Sequence, residues 1–205
     1  MRISHTRPEH AAALEALQRT VFPTLAEAET MTAWHFRRFA EVFPEGQFVA
    51  LTDDGRVVGS TSTMRCDFDF EHPQHTFLGF TGNLTLSTHR PDGAWLYGLD
   101  IMVHPDFRKM GIARMLYRAR QAYCRANGLR GQVTTGMLNG YWPRRAEMPP
   151  ETYFEKLLAG EIADPTVSAQ QRIGWEIVGL VPDYLDDPQC GNYGVLLVLP
   201  AEKEV

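Results

Sequence analysis

The stretch Leu96–Arg120, LYGLDIMVHPDFRKMGIARMLYRAR, leaves this chain the fewest choices of fold. It reads as an apolar strand ending at Val103, a turn punctuated by Pro105, and a helix opening on Lys109, Met110, Gly111, Ile112 and Ala113. The first N–H groups of a helix have no partner inside it, and the helix dipole leaves partial positive charge there. A strand, a tight turn and a helix N-terminus in this order therefore make a seat for an anion. Gly111 and Ala113 carry almost no side chain, so a bulky phosphate can approach the main chain closely. Arg108 and Lys109 add cationic charge at the rim.

The pattern Arg108-x-x-Gly111-x-Ala113, preceded by Val103-His104-Pro105 at a strand end, resembles the acyl-CoA pyrophosphate loop of the GNAT acetyltransferase superfamily. An Arg and two small residues at that spacing also occur by chance, at ordinary helix starts where the glycine only eases packing. The strand, proline turn and amphipathic helix around them are the context that the chemistry needs. The resemblance implies a mixed α/β (α+β) fold with about seven mostly antiparallel strands, a central parallel pair that splays apart, and helices on both faces. It implies acetyl-CoA as acyl donor, its diphosphate held by Arg108, Lys109, Met110, Gly111, Ile112 and Ala113. The pantetheine arm is then held by the main chain of Met102 and Val103, much as a further strand would be.

At 205 residues the chain fits one domain, residues 1–205, large enough to bury a real core. Apolar residues make up 44% and charged residues 22%, which argues against disorder and against a fibrous class. The net charge of −5 argues against nonspecific nucleic-acid binding, which needs a broad cationic surface. Cys66, Cys124 and Cys190 are odd in number, far apart and in no CxxC pair, so neither a disulfide framework nor a zinc site is expected. No stretch approaches the ~20 apolar residues of a membrane span, and no apolar run follows a basic start. A cytoplasmic protein without membrane contact is the expectation.

Along the chain, Met1–Thr6 reads as a short strand, and Leu14, Leu17 and Val21 recur at helical spacing until Pro23. A second helix is expected from Thr30 to Val42; its Trp34 and Phe36 either shape an acceptor pocket or belong to the core. Gln47–Thr52 and Arg56–Arg65 read as two antiparallel strands joined by an Asp53-Asp54-Gly55 hairpin. Asp67–Gly93 breaks the pattern and is long for a connection. Asp67, Asp69 and Glu71 alternate with Phe68 and Phe70 there, as an acidic flap over an acceptor site or as a solvated edge strand. His72, His75 and His89 lack the spacing of metal ligands, and no metal is expected.

Trp95–Val103 is the central strand. The following helix, Gly111–Asn127, sets Met115, Leu116, Ala119, Ala122 and Tyr123 toward the core, and Leu129–Gly136 returns as a parallel strand. Helices over Pro150–Leu158 and from Asp164-Pro165-Thr166 to Ile173 follow, then strands at Trp175–Pro182 and Tyr193–Leu199. The runs Glu151–Lys156, Gly160–Pro165, Gly174-Trp175 and Pro182–Asp187 resemble the GNAT domain often attached to nitrilase-type carbon-nitrogen hydrolases, a likeness that covers roughly residues 94–199.

The resemblance implies direct attack of an amine, on a small molecule or an amino terminus, upon the acetyl thioester. Many members carry a Tyr four residues before the Gly-aromatic pair, where it protonates the departing thiolate; Gln170 stands there, and an amide cannot serve as that acid. Tyr153 and Tyr193 are candidates for it by residue type. Asp100 and Tyr97 are candidates for the base, on opposite faces of one strand, with a structural carboxylate as the other reading of Asp100. A noncatalytic acyl-CoA-binding module that docks or regulates a partner enzyme is the alternative, which Gln170 favours. Exposed late strands are compatible with a homodimer.

Overall fold

A computed structural model describes all 205 residues. Nine strands form two sheets. The first has four strands in the order β1 (Arg2–His5), β2 (Phe48–Leu51), β3 (Val57–Thr61) and β6 (Met102–Val103). The second has five, in the order β4 (Thr63–Cys66), β5 (Trp95–Gly98), β7 (Gly131–Met137), β9 (Gly194–Pro200) and β8 (Glu176–Val181). All pairings are antiparallel except β5 with β7, where Trp95–Gly98 lie beside Gly131–Thr134. The helices are α1 (Ala11–Val21), α2 (Ala33–Val42), α3 (Phe77–Thr81), α4 (Ile112–Ala126), α5 (Pro150–Leu158) and α6 (Val167–Ile173). This is the mixed fold that the sequence implies, with one long helix crossing over between the parallel strands.

Strand β2 shows why both faces carry helices. All four of its residues are buried. Phe48 and Ala50 pack with Ile112 and Leu116 of α4, whereas Val49 and Leu51 join the larger core with Leu14 and Leu17 of α1. Alternation along the strand sends each pair to its own helix.

Two strands expected to run unbroken are each divided. Arg56–Arg65 breaks at Ser62 into β3 and β4, and Trp95–Val103 breaks over residues 99–101 into β5 and β6. Both breaks have one cause. Asp100 turns its carboxyl back onto the neighbouring strand, where Oδ1 accepts the Ser62 N–H at 2.7 Å, and the Asp100 carbonyl accepts the Thr61 hydroxyl at 2.6 Å. The Leu99 N–H still reaches the Ser62 carbonyl, so the pairing slips locally and the chain crosses from one sheet to the other.

The long segment after β4 also holds structure that its polar spacing conceals. Phe77, Leu84 and Leu86 anchor α3 and the following turn in the core. Asp67 accepts the Ala94 N–H and Asp69 the N–H groups of Glu71 and His72, so these carboxylates serve local turns.

The buried face of α4 differs from the expected one. Ile112, Leu116, Tyr117, Arg120, Gln121 and Cys124 face inward, while Ala122 is exposed. Arg120 is 1% exposed, with its guanidinium set against the rings of Tyr117 and Trp175. It fits because Gly98 has no side chain: a Cβ there would collide with both terminal nitrogens of Arg120.

Candidate active site

Beyond Gly98 and Thr134 no ladder joins the two parallel strands, since β6 continues with β3 and β7 continues with β9. Between them opens a cleft of about 650 Å³. His104 donates its N–H to the Val58 carbonyl. Alternate residues of an antiparallel strand face alternate sides, so Val103 presents its N–H and carbonyl away from β3, toward the cleft that it lines. Met102 is opposite Ser60 and fully buried, and its main-chain groups are turned to β3. Of the two residues expected to hold a pantetheine arm, Val103 alone has free main-chain groups at the cleft; the N–H groups of Asp100 and Ile101, just before it, also lack a protein acceptor.

One end of this cleft is bounded by Pro105, Arg108 and Ala113. The N–H groups of Lys109, Met110, Gly111, Ile112, Ala113 and Arg114 donate to no acceptor in the protein, and the first α4 bond runs from Met115 to Gly111. Lys109 and Gly111 both adopt left-handed backbone, with φ of 64° and 79°. Nothing lies within 4 Å of the place a Gly111 side chain would occupy. Arg108 and Lys109 form no ion pair with any carboxylate. Six unspent amides, an aligned fifteen-residue helix and two unpaired cations give this end of the cleft the chemistry to hold an anion. Ile112 takes part by its backbone only, its side chain being in the core, and Met110 is exposed.

Midway, Tyr117 and Gln170 meet on the cleft wall. The Gln170 Nε2 donates to the Tyr117 hydroxyl at 3.1 Å, which leaves the phenol proton free to be given elsewhere. Burial pushes the phenol above its ordinary value, and the nearby Arg120 charge works against that shift. Tyr117 is absent from the sequence-derived candidates, although its position one helical turn after Ala113 puts it on the same face.

The candidates from sequence are dispersed. Asp100 lines the cleft, but its Oδ1 is engaged by Ser62 and its Oδ2 is sealed from solvent without a partner. Burial raises this carboxyl to about 6, an effect the Ser62 hydrogen bonds and the Arg120 charge only partly offset. Tyr97 is fully buried behind the wall, bonded to His75, Thr135 and Tyr184, and burial pushes its phenol well up. Tyr153 is buried against Asp164, to which it donates at 3.1 Å, and Tyr193 donates to Glu151; neither lines the cleft. The Glu151 contact pushes Tyr193 up to about 12. Trp34 is 55% exposed and Phe36 is core, and of the stretch Thr30–Val42 only Met31 reaches the cleft.

Residues 11–140 match the model of the acetyltransferase (GNAT) family. The chain belongs to the GNAT acetyltransferase family. Among relatives, it is 32% identical over 189 residues to the uncharacterized N-acetyltransferase YkwB of Bacillus subtilis (strain 168), a match covering 90% of this chain and 81% of YkwB. It is 34% identical over 182 residues to the probable hydrolase YhcX of the same organism; that match covers 88% of this chain, which spans about a third (35%) of YhcX. In fold it is similar to the GNAT-like decarboxylase GphF in complex with isobutyryl-CoA, with a TM-score of 0.82, 23% identity, and 98% and 100% of the two chains covered.

No helix is long and apolar enough to cross a membrane. The three cysteines are buried, and burial pushes each thiol up to about 12, so none is a ready nucleophile.

Proposed function

We propose that this GNAT protein transfers the acetyl group of acetyl-CoA to an amine, on a small molecule or an amino terminus, by direct attack within a ternary complex. The observation that carries the reading is the run of unpartnered amides from Lys109 to Arg114 at the mouth of a cleft between splayed strands. The diphosphate sits against those amides, with Arg108 and Lys109 as counter-charges. The pantetheine arm lies along Val103, which places the thioester near Leu99–Ile101 and Thr134. The N–H groups of Asp100 and Ile101 are then the donors at hand for the developing oxyanion.

Asp100 in this reading holds the strand break open and is not the base, because no oxygen of its carboxyl is both free and accessible. Tyr117 takes the part of the missing tyrosine at position 170: it donates its phenol proton to sulfur as the C–S bond breaks, with Gln170 steadying its oxygen. We propose in addition that the chain is of the kind of GNAT domain joined to nitrilase-type hydrolases; the match to a third of a probable hydrolase, YhcX, is what supports that likeness.

A second reading, decarboxylation of a carboxylated acyl-CoA, is favoured by the fold similarity to GphF. Arg108, at the diphosphate end, is the one Lys or Arg on the cleft wall, which leaves no cation to hold a carboxylate at the acyl end. The experiment is acetyl-CoA with a broad amine panel, followed by thiol release, beside malonyl-CoA followed by carbon dioxide release. Amine-dependent thiol release is the expected result; binding of acetyl-CoA with no turnover across the panel would refute the reading.

A further inference from the structure

Behind the wall of the cleft at Thr135 and Tyr184, four polar side chains from four separate segments meet among aromatic rings. His75 comes from the segment before α3, Tyr97 from β5, Thr135 from β7 and Tyr184 from the turn between β8 and β9. The Tyr97 hydroxyl lies 2.8 Å from His75 Nε2, 3.2 Å from Thr135 Oγ1 and 3.2 Å from the Tyr184 hydroxyl. Phe68 and Phe80 pack on the imidazole. Thr135 and Tyr184 line the cleft; Tyr97 and His75 do not.

The direction of these hydrogen bonds follows from one contact. His75 Nδ1 lies 2.7 Å from the Pro73 carbonyl, which can only accept, so Nδ1 carries the ring proton and Nε2 is bare. Nε2 must then accept; Tyr97 is its nearest donor at 2.8 Å, and the Thr135 hydroxyl lies at 3.4 Å. With the Tyr97 proton committed to His75, its oxygen accepts from Thr135 and from Tyr184. Both of these hydroxyls belong to residues that line the cleft. Every donor thus points from the cleft toward the imidazole, which is the arrangement that conducts a proton outward.

We propose that Thr135, Tyr184 and Tyr97 pass the proton lost by the acceptor nitrogen to Nε2 of His75. The inference rests on the acetyltransferase reading and supplies the base that Asp100 cannot be. As the N–C bond forms, the nitrogen gives a proton to the oxygen of Thr135 or Tyr184, whose own proton moves to Tyr97, and the Tyr97 proton moves to Nε2. The C–S bond breaks with its electron pair on sulfur, which takes the Tyr117 proton. As products leave, the imidazolium gives the Nε2 proton back through the same hydroxyls to water entering the cleft, which restores the Nδ1–H form, and the Tyr117 phenolate is reprotonated from that water. The charge created on His75 is held by the Pro73 carbonyl. Tyr97 and Tyr184 are the titratable groups that face the imidazole; Glu29 acts on Tyr184 and Cys66 lies behind Tyr97, and neither contacts His75. Burial keeps His75 below its ordinary value, so it is unprotonated and able to accept at neutral pH.

The test uses the full chain with His75→Gln and Tyr97→Phe, thermal unfolding and acetyl-CoA affinity serving to show that each variant is folded. His75→Gln keeps an oxygen to accept from Tyr97 but cannot titrate. The expected result is a kcat lower by about 100-fold in either variant with acetyl-CoA affinity unchanged. The wild-type kcat should rise with pH on the acid side of the ordinary imidazole value, and that limb should vanish in His75→Gln. Wild-type kcat and an unchanged limb in His75→Gln would overturn the relay while leaving the transferase intact. Independently of turnover, 15N NMR of labelled histidines should show His75 neutral with its proton on Nδ1. A proton on Nε2 would overturn the relay whatever the enzyme does. A wild type that binds acetyl-CoA, shows the Nδ1 form and acetylates nothing would overturn the acetyltransferase reading and the relay with it.

Discussion

Asp100 yields a sharp thermodynamic prediction. Its carboxyl has an ordinary value of 3.8 and is raised by burial to about 6 in the folded chain. A displacement of about two units corresponds to about 3 kcal/mol. Between about pH 4 and pH 6 the unfolded chain has released this proton while the folded chain keeps it. Folding therefore binds a proton in that window, and the contribution of Asp100 to stability, fully present below pH 4, is lost as the pH rises through about 6. Asp100→Asn removes the titration while keeping an oxygen for the Ser62 N–H. The measurement is urea unfolding of both proteins over a series of pH values, taken as the difference in free energy between them. All other carboxylates cancel in that difference. The stability of the wild type relative to Asp100→Asn should fall by about 2 kcal/mol from pH 4 to pH 6.5. Curves that stay parallel would mean that this carboxyl has no net shift, and a wild type that gains on Asp100→Asn as the pH rises would mean that the Arg120 charge governs it; either result would defeat the account of a sealed, neutral-leaning Asp100.

Two other substitutions probe the cleft and its support. Gly98→Ala puts a methyl group onto the buried guanidinium of Arg120, and the overpacking should cost about 1–3 kcal/mol in chemical denaturation; full stability would show that Arg120 is free to move away. Tyr117→Phe should lower kcat by about 10- to 100-fold while acetyl-CoA affinity holds, with a smaller loss for acyl donors whose thiol leaving group is more acidic; an equal loss for all donors would remove Tyr117 as the acid.

Much of this architecture could be read from the chain because it is local. The Asp-Gly hairpin, the helix of Leu14 and Leu17, the proline turn and the glycine before α4 are each set by neighbours in sequence, and each is found in the structure. The parallel pairing of β5 with β7 followed from the length of the crossover helix. What escaped depends on contacts distant in sequence. The strand break at Leu99–Ile101 exists because Asp100 finds the Ser62 N–H on another strand. Arg120 counts as a surface residue by type and becomes core because Gly98 and two aromatic rings make room for it. The same holds for the site. The proposed anion seat is a continuous motif, so the sequence could nominate its residues; the meeting of His75, Tyr97, Thr135 and Tyr184 joins positions 109 residues apart along the chain, from 75 to 184, and no spacing rule announces it.

The claim on which everything else rests is that the free amides at the start of α4 seat a diphosphate. Ala113→Glu tests it most directly, because Ala113 lies inside the helix, lines the cleft and, unlike Gly111, has no left-handed backbone to strain. A carboxylate in the first helical turn favours the helix dipole, so the fold should keep its Tm. Calorimetric titration with CoA should show tight binding to the wild type and at least about 100-fold weaker binding to Ala113→Glu, since like charges brought together cost several kcal/mol. Equal affinity in the two proteins would contradict the placement of the diphosphate and the function drawn from it.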